Sequence, residues 1–290
     1  MRRLADDVDL ARIGRYRGLS EAYDAFAALG AREVGRTHED RPLVRLDLGP
    51  ADAPHVTLVI AGLHAMEWIG VETALAIASS WRAPSDRRLV VLPLLNPDGY
   101  ARVERHLREG RWRFTRANAR GVDLNRNFET FFRPRHFWPS ILPFLGGPGA
   151  SPGSEPETRA TLAVLDEGRI DRAVSLHSFG KKLLLPHGGQ WKRPAGYDVL
   201  LSHARGVNRD LRYSISSAGR WGPGAFAYGM EIDHFHARGI APLLVECTAG
   251  GLTLLDPGSW LHPFRWFNPR DPERAANEIA RALDPFVVGG

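Results

Sequence analysis

The stretch Val-Thr-Leu-Val-Ile-Ala-Gly-Leu at 56–63 is an almost continuous apolar run, and residues 67–79 after it return to helical spacing. Shorter apolar runs recur at 89–95, 173–176 and 240–245, with helical segments between them. A strand that is buried on both faces has such a run, and strands that alternate with helices pair mostly in parallel. The sequence therefore predicts an α/β fold, a mixed, mostly parallel central sheet with helices on both faces.

Further helices are predicted from apolar spacing at 19–29, 197–211 and 273–283. In the first of them, the hydroxyl of Ser20 is the predicted N-cap. The sequence Ser-Glu-Pro-Glu at 154–157 predicts a capping box that opens a helix to about residue 167, with proline near its first position. The sequence Asn-Pro-Asp-Gly at 96–99 predicts a turn after the 89–95 run.

Length and composition predict one catalytic domain over residues 1–290. The chain is 43% hydrophobic and 24% charged, as is usual for a globular protein, and its apolar periodic segments continue on both sides of the Pro/Gly-rich loop at 146–156. Cys247 is the only cysteine, so an internal disulfide and a cysteine-based metal site are excluded. Because no signal peptide and no membrane-spanning run can be read, we expect a cytoplasmic protein without a membrane partner.

The formal net charge of +5 comes from arginines that are spread along the chain. Nucleic-acid binding usually needs clustered basic residues interleaved with exposed aromatic ones. The stretch 111–116 has some of this character, but no longer basic block accompanies it. We therefore expect no nucleic-acid partner, and the oligomeric state cannot be read from the sequence.

Chemically capable residues follow the predicted strands at the point where each strand ends. His64 and Glu67 follow the 56–63 run, Asn96 follows the 89–95 run, and His177 and Glu246 follow the two later runs. Ligands of open α/β sheets bind outside the carboxyl ends of the strands. We therefore expect these side chains to lie at one edge of the sheet, although they are far apart in sequence.

His64 and Glu67 form a His-x-x-Glu pair at a strand-to-helix junction. If the backbone turns there, both side chains can face one point, and a distant histidine can supply a third ligand. Three protein ligands and one water molecule make up a catalytic zinc site, in which the metal activates the water and polarises a carbonyl group. Such a site needs a free carboxylate to carry the proton, and Glu246 is placed for this role.

The chain resembles the M14 family of zinc carboxypeptidases. The segments that carry the resemblance occur in the family's order: Gly-Leu-His-Ala-Met-Glu-Trp at 62–68, Asn-Pro-Asp-Gly-Tyr at 96–100, Thr-Arg at 115–116, Gly-Val-Asp-Leu-Asn-Arg-Asn-Phe at 121–128, Gly-Ser-Glu-Pro-Glu-Thr at 153–158, Ser-Leu-His-Ser-Phe at 175–179 and Val-Glu-Cys at 245–247. The likeness extends from about residue 15 to about residue 285. It implies a zinc carboxypeptidase-like fold and a zinc metallopeptidase.

The resemblance implies that one Zn²⁺ per chain is bound by His64, Glu67 and His177. It implies that Asp123 holds a ligand histidine, which is physically reasonable because a carboxylate on the far ring nitrogen orients the ring. It also implies that Glu246 is the general base and then the general acid.

The resemblance assigns further residues to the substrate, a peptide with a free C-terminal carboxylate. Arg116 would stabilise the oxyanion. Asn125 and Arg126 would hold the terminal carboxylate, for which the planar fork of arginine is suited. In the glycine-rich stretch 221–228, Tyr228 is the nearest candidate for the family's lid tyrosine. The implied reaction is hydrolysis of a peptide bond that releases the C-terminal residue.

The chain departs from the family pattern at two places, Met66 and the lid-like stretch, where the spacing from Tyr228 to Glu246 is shorter than expected. Met66 replaces an arginine that is common in the digestive enzymes, so an outer substrate contact is lost or is supplied elsewhere. The residue that selects the substrate side chain is either Ile232, which would favour apolar side chains, or Glu231, which would favour basic ones. With no pro-segment visible, the chain is more similar to bacterial members, some of which act on murein peptides.

Other functions remain open. Deacylases of the aspartoacylase and succinylglutamate desuccinylase type share the His-x-x-Glu pair and the Asp-x-Asn-Arg segment, but the segments at 96–100 and 154–157 favour a peptidase. A binding domain without turnover is a weaker alternative, because both Glu246 and Arg116 are present. His234 and His236 alternate as in a strand, and we interpret them as structural or surface residues.

Overall fold

The computed structural model describes residues 15–82, 84–135, 145–220, 226–249 and 262–289. Eight strands form one sheet in the order β1-β2-β4-β3-β5-β8-β6-β7. The strands are β1 (Arg32–Arg36), β2 (Pro42–Leu48), β3 (His55–Ala61), β4 (Arg87–Leu92), β5 (Arg172–His177), β6 (Lys182–Leu185), β7 (Ser214–Ser217) and β8 (Ala241–Glu246).

The four strands at the centre of the sheet run parallel. β3 pairs in parallel with both β4 and β5, and β5 pairs in parallel with β8. β6 is antiparallel to β8, and β2 is antiparallel to β1 and β4. The sheet is therefore mixed, and the carboxyl ends of the four central strands lie at one edge.

Helices connect the strands. They are α1 (Leu19–Ala28), α2 (Trp68–Ser80), α3 (Pro97–Arg108), α4 (Pro156–Asp166), α5 (Tyr197–Leu211), α6 (Glu231–Ala237), α7 (Pro263–Phe267) and α8 (Pro272–Asp284). The loop between α3 and α4 contains a 3₁₀ turn at Leu124–Arg126. Within the described ranges, no helix is both long and apolar enough to cross a membrane.

The two faces of β3 pack into two different cores. Val59 and Ala61 belong to the larger core, which also contains Trp68 of α2. Leu58 and Ile60 point to the opposite face, into a second core. Because side chains alternate along a strand, burial of every residue from 57 to 61 requires cover on both faces. This confirms the α/β architecture that the apolar run predicts.

Two predicted N-caps are wrong, although both predicted helices are present. α1 begins after Gly18 rather than at Ser20, because Glu21 accepts a hydrogen bond from the Gly18 N–H from inside the first turn (2.8 Å). α4 has no capping box: its N-cap is Glu155, and the Ser154 hydroxyl donates to the Glu155 carboxylate instead (2.7 Å). The prediction that a proline lies near the start of α4 is correct.

The Asn-Pro-Asp-Gly segment opens helix α3 rather than forming an isolated turn. Asn96 is the N-cap, and its side-chain oxygen accepts a hydrogen bond from the Gly99 N–H at 2.9 Å. The geometry in which asparagine starts a turn is the same one in which it caps a helix. His234 and His236 lie on helix α6, not on a strand, since two alternating positions are too few to define a period.

Candidate active site

Three side chains converge where β3 and β5 end. His64 follows β3, Glu67 precedes α2, and His177 is the last residue of β5. Nδ1 of His64 lies 2.8 Å from a carboxylate oxygen of Glu67, and Nδ1 of His177 lies 3.0 Å from the other oxygen. The two Nδ1 atoms are 3.1 Å apart, and all three side chains are buried.

The far nitrogen of each histidine faces an acceptor. Nε2 of His64 lies 3.1 Å from Asp123, and Nε2 of His177 lies 3.2 Å from Glu231. When each ring is neutral and carries its proton on Nε2, the Nδ1 lone pairs are directed at each other and at Glu67. Three converging lone pairs repel one another unless a cation lies between them. This donor set fits zinc, which binds through two imidazole nitrogens and a carboxylate in many catalytic sites.

The charge of the surroundings also fits a divalent cation. The donor Glu67 and the buried or partly buried groups around the donor set carry charge; the charged residues are Glu67, Asp123, Glu231, Glu246, Arg116 and Arg126. Four carboxylates against two guanidiniums leave these groups with an excess of two negative charges when all are ionised. Burying such an excess is costly unless a cation compensates it.

Asp123 lies at the start of the 3₁₀ turn. One of its oxygens accepts from the Asn125 N–H at 3.0 Å, and the other accepts from Nε of Arg116 at 2.9 Å. Burial alone would raise the pKa of Asp123, but Arg116, Arg126 and His64 together outweigh it and hold this pKa well below its usual value. The Asp123 carboxylate therefore stays ionised between His64 and Arg116.

Arg116 lies within reach of the convergent donors. Its guanidinium is 3.7 Å from Glu67, and its side chain is 19% exposed. Its backbone carbonyl accepts a hydrogen bond from the Ala65 N–H at 3.1 Å, which ties this loop to the His64–Glu67 segment. The cation is therefore fixed beside the donors and still partly open to solvent.

Arg126 follows Asn125 on the same turn and lacks a carboxylate at ion-pair distance within the described residues. Its Nη1 donates to the Asn125 carbonyl at 2.5 Å. Burial lowers the pKa of Arg126 from its usual value, and the cation of Arg116 lowers it further. A partly buried guanidinium without a carboxylate at ion-pair distance can bind an external anion.

Glu246 ends β8 directly beside His177 on β5. Its Oε2 is buried and has no hydrogen-bond partner in the described part of the chain. Burial raises the pKa of Glu246 to about 8, and the carboxylate of Glu67 adds to the rise. A divalent cation in the donor set would favour the ionised form and lower this pKa again.

Asn96 and Gly99 support the loop that carries His64. The Asn96 side chain donates to the carbonyl of Leu63 at 3.2 Å. A Cβ atom on Gly99 would lie 2.6 Å from the Cβ of Ala65, so a glycine is needed for the start of α3 to approach this loop. The segment at 96–99 therefore holds the loop that carries His64 in place and contributes no donor of its own to the proposed metal site.

The two candidates for side-chain selection occupy different environments. Ile232 is fully buried in a small core with Leu184 and Leu244. Glu231 is fully buried with its carboxylate against His177. Tyr228 contacts Arg133, whose guanidinium lies 4.0 Å from the centre of its ring, and Phe226. The rest of the lid-like stretch, 221–225, lies outside the described residues, so the lid role of Tyr228 stays a prediction.

Sequence reasoning did not anticipate two groups of contacts. Ser175 Oγ lies 3.0 Å from Nε2 of His177, and the Ser178 N–H donates to Glu67 at 3.2 Å. Ser175 lies two residues before His177 on the same strand, so strand alternation could have placed it beside the ring. The contact of Glu231 with His177 has no signal in the sequence, because α6 lies 54 residues away.

A second cluster lies apart from the convergent donors, where His38, Glu155 and Glu157 approach one another. Nε2 of His38 lies 2.9 Å from Glu155, and Asn118 donates to both glutamates. Burial raises the pKa of Glu157 to about 7, whereas the hydrogen bond from Asn118 opposes the rise. Two buried carboxyl groups are accommodated here because one of them can keep its proton near neutral pH.

Comparison with known proteins supplies independent information. The sequence profile of the zinc carboxypeptidase family, Peptidase_M14, matches residues 19–239. Mouse carboxypeptidase A2 is 28% identical over 247 residues, covering 72% of this chain and 56% of that protein. Mouse mast cell carboxypeptidase A is 30% identical over 192 residues, covering 60% of this chain and 45% of that protein. The chain thus spans about half the length of the curated relatives it matches.

Solved structures share the fold. Bovine thrombin-activatable fibrinolysis inhibitor, solved with a tick carboxypeptidase inhibitor, superposes with a TM-score of 0.69 at 21% identity and covers 93% of this chain and 98% of that one. A murein-tripeptide amidase from Escherichia coli O157 superposes with a TM-score of 0.58 at 20% identity and covers 97% of this chain and 96% of that one. The family profile covers most of the chain, from the start of α1 to just after α6. The chain therefore belongs to the M14 zinc carboxypeptidase family.

Proposed function

We propose that the chain is a zinc-dependent peptidase that releases the C-terminal residue of a peptide. The observation that carries this proposal is the convergence of His64, Glu67 and His177 beside the buried, unpartnered carboxylate oxygen of Glu246. Membership of a zinc carboxypeptidase family supports the same reading. When bound to the three donors, zinc supplies a Lewis acid that activates water and polarises a carbonyl group.

Glu246 is the proposed general base. It accepts a proton from the attacking water molecule and delivers it to the leaving amine, so that one carboxylate carries out both proton transfers. Its position at the end of β8, beside the end of β5, keeps it near the donors without making it one of them.

Arg116 is the proposed oxyanion partner. Its guanidinium is already oriented by Asp123, so little reorganisation is needed when negative charge develops on the substrate oxygen. A cation held in this way stabilises the charge of the transition state more than the neutral carbonyl of the ground state.

Arg126 and Asn125 are the proposed receptors for the terminal carboxylate. Arg126 has no carboxylate of the described residues at ion-pair distance, which supports a role in binding an external anion. This contact would restrict the enzyme to the end of a chain. Tyr228 is retained as the proposed lid tyrosine, and its contact with Arg133 leaves its ring beside a cation.

A murein peptide is a second candidate substrate. It is supported by the solved structure of a murein-tripeptide amidase that shares the fold. An N-acyl amino acid, the substrate type of related deacylases, is a third possibility that the same assay tests.

The proposal is tested by incubating zinc-loaded protein with a mixed peptide library and recording the products by mass spectrometry, with and without a chelator. Chelator-sensitive loss of single C-terminal residues would support the proposal and reveal the preferred side chain. Cleavage of murein peptides or N-acyl amino acids alone would replace the substrate but keep the chemistry. No cleavage of any of the three by zinc-containing protein would overturn the enzymatic proposal.

A further inference from the structure

The far ring nitrogen of His177 is surrounded by three side chains. Its Nε2 lies 3.0 Å from Ser175 Oγ, 3.2 Å from Glu231 Oε1 and 3.5 Å from Asn125 Nδ2. Nδ1 of the same ring faces Glu67 and His64. If Nδ1 binds a metal ion through its lone pair, Nε2 carries the proton and must donate it.

Two of the three neighbours can accept this proton. The Asn125 amide nitrogen is itself a donor, so it cannot receive it. Ser175 offers a neutral hydroxyl, whereas Glu231 offers a carboxylate, and a hydrogen bond to an ionised acceptor is roughly twice as strong as one between neutral groups. Glu231 is therefore the stronger acceptor, although Ser175 is slightly closer.

Glu231 is built into the protein in a way that holds its carboxylate at this ring. The residue is 0% exposed, and its backbone N–H donates to the side-chain oxygen of Asn125 at 3.2 Å. It is the first residue of α6, whose start is also anchored because Asp233 accepts from the N–H groups of Gly188 and Gly189. The carboxylate is thus carried on an anchored helix start.

One oxygen of the Glu231 carboxylate is buried without a partner among the described residues, which is unfavourable for folding. Oε2 of Glu231 is buried without a hydrogen-bond partner in the part of the chain that the structure describes. A buried carboxylate that is only half satisfied destabilises a fold unless it is used. Asp123, by contrast, has both oxygens bonded, one facing His64 and one receiving Arg116.

We propose that Glu231 is a positioning residue for the metal ligand His177, holding its ring and directing its Nδ1 lone pair, as Asp123 does for His64. The site would then contain two carboxylate–histidine pairs, one for each ligand histidine. This inference rests on the proposed zinc site but not on the proposed substrate. It also argues against Glu231 as the residue that selects the substrate side chain, because the residue is 0% exposed and its Oε1 already faces His177.

The test is zinc affinity, measured by competition with a chromogenic chelator on the full chain. We expect Glu231→Ala to raise the zinc Kd about 10- to 100-fold, and Glu231→Gln, whose amide oxygen accepts a weaker hydrogen bond than a carboxylate, to raise it measurably, by up to about 10-fold. Asp123→Asn is the comparison for the other ligand. Glu278→Gln, an exposed change on α8, is the control, and this variant should bind zinc with an unchanged Kd.

Cobalt(II) substitution provides a second readout, since its visible absorption depends on ligand geometry. The bands should shift in the Glu231 variants and not in Glu278→Gln. Thermal unfolding of the metal-free variants separates loss of ligand positioning from loss of fold. If Glu231→Ala does not fold, the isosteric Glu231→Gln carries the test.

Three results would overturn the inference. The first is an unchanged zinc Kd and cobalt spectrum in folded Glu231 variants. The second is a larger effect of Ser175→Ala than of Glu231→Ala, which would assign the ring proton to the hydroxyl. The third is normal zinc binding by Glu231→Gln together with selective loss of cleavage at basic C-terminal residues. Failure of the unaltered chain to bind zinc would refute the proposed function as well, so the two failures are distinguishable.

Discussion

Oδ1 of Asp123 lies 3.1 Å from Nε2 of His64, although the two residues are 59 positions apart in the sequence. The same carboxylate accepts a hydrogen bond from Arg116 through its other oxygen. A single side chain thus connects a proposed metal ligand with the proposed oxyanion partner. Changing it should affect metal binding and catalysis together.

Asp123→Asn should raise the zinc Kd about 10- to 100-fold, because an amide is a weaker acceptor for the His64 ring proton. At saturating zinc, kcat should still be reduced, since Arg116 loses the partner that orients it. Zinc titration and steady-state kinetics measure the two effects separately. Full recovery of kcat at saturating zinc would mean that Asp123 acts on the metal ligand alone.

Glu246→Gln should bind zinc with unchanged stoichiometry but lower kcat by about 10²- to 10⁴-fold, because the amide cannot accept and release a proton. Metal analysis and turnover of a cleaved peptide measure the two properties. Glu278→Gln, an exposed change on α8, is the control and should behave like the unaltered chain. Substantial turnover by Glu246→Gln would remove Glu246 from the reaction.

Arg126→Ala should lower kcat/KM for a peptide with a free C-terminal carboxylate by about 10- to 100-fold, the loss expected for a hydrogen bond between charged groups. A C-terminally amidated peptide, which lacks the charge, should be affected far less. For the peptide with a free carboxylate, Arg126→Lys should have a kcat/KM between those of Arg126→Ala and the unaltered chain, because lysine keeps the charge and loses the planar fork. Equal losses on both peptides would contradict the assignment of Arg126 to the terminal carboxylate.

Glu157→Gln should change how stability depends on pH. The pKa of Glu157 is raised from 4.5 to about 7 in the fold, so between these values the folded state binds the proton more tightly than the unfolded state. Its contribution to stability is therefore fully present below about pH 4.5 and is lost as the pH rises through 7. The loss amounts to roughly 3 kcal/mol, at about 1.4 kcal/mol for each pH unit between the two pKa values.

The measurement for Glu157 is urea unfolding between pH 5 and 8. The unaltered chain should lose stability relative to Glu157→Gln as the pH rises through this range, because the glutamine keeps the hydrogen bond from Asn118 and does not ionise. Glu278→Gln again serves as the control, since an exposed carboxylate has no burial to oppose its charge. A parallel pH dependence of Glu157→Gln and the unaltered chain would refute the raised pKa.

Gly99→Ala should destabilise the protein by about 1 to 3 kcal/mol, because its Cβ would lie 2.6 Å from that of Ala65 and force the ligand loop to shift. Zinc affinity should fall as well. Gly206→Ala on α5 is the opposite case: no atom lies within 4 Å of the added Cβ, so this change should stabilise the helix by up to about 1 kcal/mol. Equal effects of the two substitutions would show that the contact with Ala65 does not matter.

The sequence by itself determined the centre of the fold and the residues at its edge. Strands buried on both faces are continuous apolar runs, so β3, β4, β5 and β8 were readable with errors of one to three residues at their ends. Once these strands are known to be parallel, the positions of His64, His177 and Glu246 follow from where each strand ends. β1, β2 and β7 were missed because polar residues interrupt them, as in the Ser-Ile-Ser-Ser sequence of β7, and β6 was missed because its apolar run is only three leucines long.

Only the tertiary structure decided what surrounds these residues. The contact of Glu231 with His177 depends on where α6 packs, and the pairing of His38 with Glu155 joins residues 117 positions apart. Local sequence does not predict such contacts, because it does not distinguish a buried glutamate from an exposed one. Spacing along the chain thus indicated which residues meet at the sheet edge, whereas packing of distant elements determined which groups hold them there and which protons they keep.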